Sequence, residues 1–361
     1  MAETLTVDLG DRSYAIRFGA NLGAEVRAQA DLLQAASRKV VVITDTNVQV
    51  RQGAALWAMF GDRPALALPP GEGTKSLASL GRVLDFLCAQ RLGRADAIFV
   101  AGGGVIGDLG GFAAATYLRG IDFYQVPTTL LAMVDSSVGG KTGINLDAGK
   151  NLAGAFHQPR GVFVGTDLLA TLPPREFAAG MAEVVKYGLL GDAELFAQIE
   201  TTVLTAASAE LPDMIRRCCA LKARIVEADE RETAPEGGRA LLNLGHTFAH
   251  AIEQATDYRR YLHGEAVGIG LVAAARLSSQ LGLLGAGEPA RVERVIGAQA
   301  LPARLAEPLP VSGLMAAMAR DKKVRGGRLR LVVLRRLGEA VTHGDTDLAA
   351  IERIWREVGA T

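Results

Sequence analysis

The feature that most narrows the fold is an alternation, over the first half of the chain, of short β-branched runs with helical patterns. Runs at 39–45, 65–68, 97–100 and 122–126 are separated by stretches of 3.6-residue period, one of them a helix from about Ser76. That rhythm predicts βαβ units and a mainly parallel sheet, because parallel neighbours need a crossover that is usually a helix. Ahead of them, residues 4–18 alternate apolar and polar positions around Gly10–Arg12 and predict a β-hairpin. Between 135 and 167 glycine and polar residues dominate, and two short apolar runs read equally as strand or loop. From Pro173 the pattern changes to long 3.6-residue periods rich in Ala, Leu and Glu, at 176–190, 193–229, 245–254 and 265–281. Near the end, 329–334 and 340–343 flank a glycine-containing turn and predict a hairpin among helices. A single core stops growing at about 250–300 residues, so 361 residues predict two domains. The expectation is α/β plus all-α: a domain with a mainly parallel sheet at 1–172 and a mainly helical domain at 173–361.

Charge and cysteine content exclude several functions. Thirty-nine basic residues balance thirty-nine acidic ones, so no net field favours nucleic acid or an anionic membrane, and any anion site must be local. The three cysteines lack metal-ligand spacing and cannot all pair, which fits a reducing cytosol. No basic segment followed by an apolar core opens the chain, and no apolar run reaches roughly 18 residues. A cytoplasmic protein, neither secreted nor membrane-spanning, is expected.

The run at 97–100 leads directly into a loop where Gly102, Gly104 and Gly107 satisfy GxGxxG ahead of a helical segment. Glycines there let backbone approach a pyrophosphate, and the helix N-terminus supplies unpaired N–H groups and partial positive charge. A tight, closely packed βα turn accounts for the same glycines. No clean strand-end acid follows at about 20 residues, where the simple fingerprint places its ribose partner. Asp45, ending the run at 39–45, is the better candidate for ribose, with Asn47 assisting; an Asx turn is the plainer account of Asp45.

Of five histidines, three fall close together. His246 and His250 stand at i and i+4 on one helix face, and His263 opens the next helical segment. Two imidazoles, a carboxylate and one open position make a catalytic zinc set. Spacing leaves the acid open among Glu183, Glu253 and Glu265, and one ligand plus one core or substrate-binding histidine explains the His246–His250 pair equally well. HExxH is absent, which removes the usual base of a metalloprotease. Lys141, Lys150, Lys186, Lys222, Arg239 and the lysines of Arg320-Asp-Lys-Lys323 lie in glycine-rich or apolar surroundings. Taken singly each is a solvated charge; converging, they suit a substrate bearing phosphate and carboxylate. GGKT at 139–142 ends like a P-loop, but Asp135 stands where its first glycine belongs, so ATP hydrolysis is not expected.

In order, GGGVIGDLGGFAAATYLRGIDFYQVPTTLLAMVDSSVGGKTGIN, GKNLAGAFHQP, LPPREFAAGMAEVVKYG, LLNLGHTFAHAIE, LHGEAVGIG and RDKK resemble the 3-dehydroquinate synthase family, over about residues 40–334. The resemblance implies a Rossmann-like NAD domain, a helical domain for Zn²⁺ or Co²⁺, an active site in the interdomain cleft, and a homodimer. By matching position it implies Glu183, His246 and His263 as metal ligands and His250 as a substrate contact. Around NAD it places Asp45, Glu72, Lys75, the loop of Gly103, Gly104, Val105, Gly107 and Asp108, Thr128, Thr129, Lys150, Thr171, Leu172 and Glu176, with Lys141 reaching both ligands and Asp135 near the nicotinamide. Lys141, Asn151, Lys186, Lys222, Arg239, Asn243 and Lys322, or its neighbour Lys323 in place of the last, match substrate positions, and Arg119 is offered across the dimer to the partner's phosphate site. One departure is the segment 231–239, slightly longer than usual, which loosens the match at Arg239.

The implied substrate is 3-deoxy-D-arabino-heptulosonate 7-phosphate. The implied reaction is a transient oxidation at C5, β-elimination of phosphate, re-reduction, ring opening and intramolecular aldol closure to 3-dehydroquinate, with NAD regenerated. Another sugar-phosphate cyclase on the same scaffold and a metal-dependent polyol dehydrogenase are the alternatives. Arg239, Asn243, His250 and the DKK motif favour the first reading, and a dinucleotide-sensing module would need neither metal nor converging cations.

Overall fold

The computed structural model describes residues 3–320, 324–325, 328–344 and 346–361. The chain divides into two compact units, Met1–Pro173 with Lys222–Glu227, and Pro174–Leu221 with Ala228–Thr361. Among the described residues no helix is long and apolar enough to cross a membrane.

In the first unit β1 (Glu3–Val7) and β2 (Tyr14–Gly19) form the expected antiparallel hairpin. There follow α1 (Gly23–Ala35), β3 (Val40–Asp45), α2 (Thr46–Arg51), α3 (Gly53–Phe60), β4 (Ala65–Leu68), α4 (Leu77–Ala89), β5 (Ala97–Gly102), α5 (Gly104–Thr116) and β6 (Asp122–Pro127). Ser76 starts α4 as its N-cap, its hydroxyl accepting from Ser79 N. The stretch left open between strand and loop folds as a hairpin, β7 (Lys141–Leu146) with β8 (Gly149–Phe156), and a strand, β9 (Gly161–Gly165). The sheet runs β1-β2-β9-β6-β5-β3-β4, parallel at every pairing except β1 with β2. β3 and β5 are buried at every residue, as central parallel strands covered on both faces must be. Phe99 and Tyr124 stack at 4.8 Å on one face, with Phe60 of α3 edge-on to Phe99. Ile98, Val100 and Phe123 pack with Leu80 and Leu87 of α4 and with Ile106 and Leu109 of α5.

β4 lies on one side of β3 and the next strand, β5, on the other. The chain therefore reverses its winding between β3 and β5, and such sheets bind ligands beyond the carboxyl ends of the strands at that reversal. Those ends are Asp45 and Gly102.

The second unit is helical: α6 (Pro174–Gly191), α7 (Ala193–Thr201), α8 (Leu211–Ala228), whose Lys222–Glu227 belongs to the first unit, α9 (His246–Ala255), α10 (His263–Gln280), α11 (Glu288–Ala298), α12 (Val311–Arg320) and α13 (Leu348–Glu357). The single segment expected at 193–229 is two helices. Thr201, Thr202 and Val203 are β-branched, and the Ser208 hydroxyl then takes Thr205 N at 2.9 Å, a local bond that competes with helix. Short strands β10 (Val324–Arg325), β11 (Arg328–Leu329), β12 (Leu331–Arg336) and β13 (Glu339–His343) complete the unit, the last two forming the expected hairpin.

α10 is the central helix, and glycines set its distance from its neighbours. A Cβ at Gly264 would lie 1.9 Å from Ala179 O of α6, and one at Gly270 would lie 2.2 Å from the carbonyl oxygen of Gly245, which precedes α9. Backbone touches backbone at both places, so no side chain fits. Gly245 itself has φ +77°, the left-handed region glycine tolerates.

Candidate metal and cofactor sites

The close approach of three helices in the second unit brings one atom from each to a common point. Glu183 lies mid-way along α6, 1% exposed, His246 begins α9, and His263 begins α10. Glu183 Oε1 is 3.4 Å from His246 Nε2 and 3.7 Å from His263 Nε2, and the three ligand atoms lie within 4.8 Å of one another. A tetrahedral ion about 2.0–2.1 Å from each ligand sets ligand–ligand edges of about 3.4 Å, so the group fits a zinc-like ion with little movement.

The far side of each ligand is also held. Glu183 Oε2 pairs with Lys186, one turn along α6 and likewise 1% exposed. His246 Nδ1 lies 3.1 Å from Leu244 O, and His263 Nδ1 lies 3.3 Å from Glu253 Oε1. A ring nitrogen that donates to an oxygen leaves the other nitrogen's lone pair for a metal. Burial, then the Lys186 charge, pushes the His246 imidazole from its usual 6.5 to about 4, so it is neutral at physiological pH as a ligand must be.

The three carboxylates that spacing could not separate have three different tasks. Glu183 faces the imidazoles. Glu253, 2% exposed, stands behind His263. Glu265 accepts from Leu262 N at 2.8 Å and takes a two-pronged pair from Arg175, which stabilises the start of α10. Burial acts to raise the Glu265 carboxyl, but Arg175 and the Leu262 N–H outweigh it and hold it below the ordinary range.

His250 is half-buried one turn beyond His246, its ring 5.7 Å from that of His246 and 6.4 Å from that of His263. Arg239 is 1% exposed and donates to Glu230 O at 2.8 Å. Asn243 donates to Ala240 O and to Glu232 Oε1. The longer segment 231–239 folds around Asp229, whose carboxylate accepts from Thr233, Ala234 and Arg239 backbone N–H groups. Burial works against that carboxylate's charge, yet these bonds keep its pKa lowered. Lys322 lies outside the described residues.

In the first unit the glycine loop meets the winding reversal. Gly103 is the N-cap of α5 and, having no side chain, gives the first N–H groups of the helix no capping oxygen. None of these glycines has a positive φ, so close packing explains them. A Cβ at Gly103 would meet Thr129 at 3.1 Å, at Gly104 Ser136 at 3.1 Å, at Gly107 Gln125 at 3.1 Å, and at Gly110 Val100 at 2.7 Å. The turn is therefore closely packed, and no side chain caps the first turn of its helix. Val105 lies in the first turn of that helix, and Thr128 N closes onto Gly102 O.

Asp45 caps α2, its Oδ1 accepting from Val48 N at 3.0 Å, with Asn47 in the same first turn. Lys75, 5% exposed, donates to Asp108 Oδ2 at 2.7 Å and to Asn151 Oδ1 at 2.5 Å. Burial raises the Asp108 carboxyl, with Lys75 pulling the other way. Asp135 sits in a π-turn, Ala132–Ser136, and takes Lys222 on both its carboxylate and its carbonyl, at 2.9 and 2.6 Å. Lys141, Asn151, Thr171, Glu176 and Arg119 are exposed, and Lys150 and Leu172 half-buried. Thr171 Oγ1 accepts from Gln52, and Arg119 has φ +69°.

Asn145 escaped the sequence reading. It stands at the register shift of the β7–β8 hairpin, donates to Glu72 Oε1 at 2.8 Å, accepts from Asn151 N at 2.9 Å, and its own N donates to Lys75 O. Bulges re-aim side chains in this way. Its only sequence signal was an asparagine set between Ile144 and Leu146 in a short apolar run that read equally as strand or loop.

Two family profiles, 3-dehydroquinate synthase N-terminal and 3-dehydroquinate synthase C-terminal, match residues 65–179 and 180–324. A 3-dehydroquinate synthase of Opitutus terrae is 64% identical over 361 residues, with 100% of both chains covered. Among solved structures, 2-epi-5-epi-valiolone synthase of Streptomyces hygroscopicus, with NAD+ and Zn2+ bound, superposes at a TM-score of 0.88 with 29% identity, covering 97% of this chain and 98% of that one. A 2-deoxy-scyllo-inosose synthase complexed with carbaglucose-6-phosphate, NAD+ and Co2+ gives 0.86 with 26% identity, covering 99% and 100%.

Proposed function

This chain belongs to the 3-dehydroquinate synthase family, and we propose from that premise which of its residues perform the reaction. It is a lyase of the shikimate pathway that converts 3-deoxy-D-arabino-heptulosonate 7-phosphate to 3-dehydroquinate and phosphate. The observation carrying the residue assignment is the meeting of Glu183 Oε1 with the Nε2 atoms of His246 and His263. These three hold a divalent ion, Zn²⁺ or Co²⁺, in the domain 173–361; the domain 1–172 holds NAD. When bound, NAD takes up and returns one hydride per turnover, and the ion acidifies the hydroxyl it coordinates.

The remaining roles are those that matching position in the family implies, and charge and placement support them. Lys186 pairs with Glu183 Oε2, the oxygen turned away from the imidazoles, and so aims the ligand carboxylate. His250, within about one ring's reach of both ligand histidines, hydrogen-bonds a hydroxyl of the bound sugar. Lys141, Asn151, Lys222, Arg239, Asn243 and Lys322 bind the carboxylate and phosphate, and the positive charges of the lysines and Arg239 balance the dianion as it departs. Arg119 contributes to the phosphate site of a second copy in a cytoplasmic homodimer. On the cofactor side the open amides of α5 take the pyrophosphate and Asp45 the ribose. Lys75 anchors Asp108, while Glu72, Thr128, Thr129, Lys150, Thr171, Leu172 and Glu176 line the remainder. Asp135, held by Lys222, marks the nicotinamide end.

The test is incubation with the heptulosonate phosphate, substoichiometric NAD and zinc. Equal yields of phosphate and dehydroquinate, without net NADH, are expected. Accumulating NADH without phosphate release would identify a polyol dehydrogenase, and inertness toward this sugar another cyclase.

A further inference from the structure

We propose that Glu253 is the positioning residue that selects the tautomer of His263. The inference rests on the reading of Glu183, His246 and His263 as metal ligands, and it concerns a residue that binds no metal itself. Glu253 stands two turns beyond His246 on α9, 2% exposed, with Oε1 3.3 Å from His263 Nδ1. His263 needs such a partner more than the other ligands do. Its side chain is 34% exposed, against 11% for His246 and 1% for Glu183, and it occupies the first residue of α10, where packing restrains a ring least. His246 is steered by a backbone carbonyl, which no substitution of its own helix removes.

The chemistry is directional. A neutral histidine left in water favours its proton on Nε2, the nitrogen that here must offer a lone pair to the ion. A carboxylate at Nδ1 reverses that preference, fixes the ring plane and makes Nε2 a stronger donor. Glu265, closer in sequence, cannot substitute, because Arg175 and Leu262 N occupy it.

Metal-stripped full-length protein labelled with ¹⁵N-histidine provides the test, since five histidines give a countable spectrum. The proton on His263 Nδ1 and the zinc affinity, by competition with a chromophoric chelator, are the two readouts. Glu253→Ala should move the proton to Nε2 and weaken zinc binding by about 10–100-fold. Glu253→Gln keeps an acceptor, so it should retain the Nδ1 proton and lose less. Wild-type tautomer and affinity in Glu253→Ala overturn the proposal. Should that variant fail to fold, unchanged zinc affinity in Glu253→Gln overturns it, and weakened affinity with the Nδ1 proton kept supports it. Failure of the metal reading is separate, because His263→Ala would then retain its zinc.

Discussion

His246 must be neutral to bind a metal, and burial beside Lys186 makes it so by holding its pKa at about 4. In metal-free protein this has a signed consequence. Between about pH 6.5 and 4 the unfolded chain carries a proton on this residue that the folded chain refuses, so the unfolded state binds more protons and stability falls as pH is lowered through that window. Above it both states are neutral and the contribution vanishes. Urea midpoints at pH 7.5 and 5.5 should differ in the wild type, and by less in His246→Gln; equal differences would deny the burial argument. A second residue separates two roles that sequence left side by side. Asp45 caps α2, so Asp45→Ala should cost about 1 kcal/mol in a denaturant titration. Asp45→Asn keeps the cap but loses the charge, and should keep the stability while raising the KM for NAD; an unchanged KM would confine Asp45 to capping. Residue types and clustering were legible from the chain alone, since three clustered histidines and a short list of acids already contained the three residues that the structure brings together. Spacing could not separate Glu183 from Glu253 and Glu265; the family resemblance pointed to Glu183, and the physical difference is contact between helices tens of residues apart, which spacing along a chain does not encode.

At the scale of elements, Glu183, His246 and His263 meet where α10 lies in backbone contact with α6 and with the residue that precedes α9. Gly264→Ala puts a methyl group 1.9 Å from Ala179 O, and Gly270→Ala puts one 2.2 Å from Gly245 O, so the helices must part. Overpacking of this kind costs about 1–3 kcal/mol and moves His263 away from Glu183. Both variants should melt earlier and, at Gly264 most sharply, bind zinc more weakly by calorimetric titration; a stable Gly264→Ala protein with full zinc affinity would show that helix spacing does not set the site. Periodicity located most strands and helices because β3, β5, α6 and α10 are buried along nearly their whole length, where pattern and environment agree. It merged α7 with α8, whose break is made by local Ser and Thr hydrogen bonds that leave the apolar period intact. It could not decide the β7–β8 hairpin either, because a glycine-rich strand with exposed positions lacks the alternation that identifies a strand.

At the scale of the whole molecule, the division into two compact units gives each ligand its own region to stabilise. A ligand that binds only the folded form stabilises what holds it by about 2.7 kcal/mol at a hundredfold excess over Kd. Zinc alone should therefore slow amide exchange in α6, α9 and the start of α10, where Glu183, His246 and His263 lie. NAD alone should slow it at the ends of β3 and β5, in the first turn of α5, and through Ala132–Ser136. These regions share no element, so hydrogen–deuterium exchange with each ligand separately is a test that catalysis cannot confuse. Zinc protection confined to the sheet unit would contradict the ligand assignment, and NAD protection confined to the helices would contradict the placement of the dinucleotide at the winding reversal. Added together, the two ligands should protect both sets at least as strongly as either alone. Protection beyond the sum would measure how far one ligand orders the unit that binds the other, a free energy reciprocal by necessity. Such coupling would serve the reaction, because hydride returns to the same sugar from which it left only if neither NADH nor the oxidised substrate escapes before the re-reduction that follows phosphate departure.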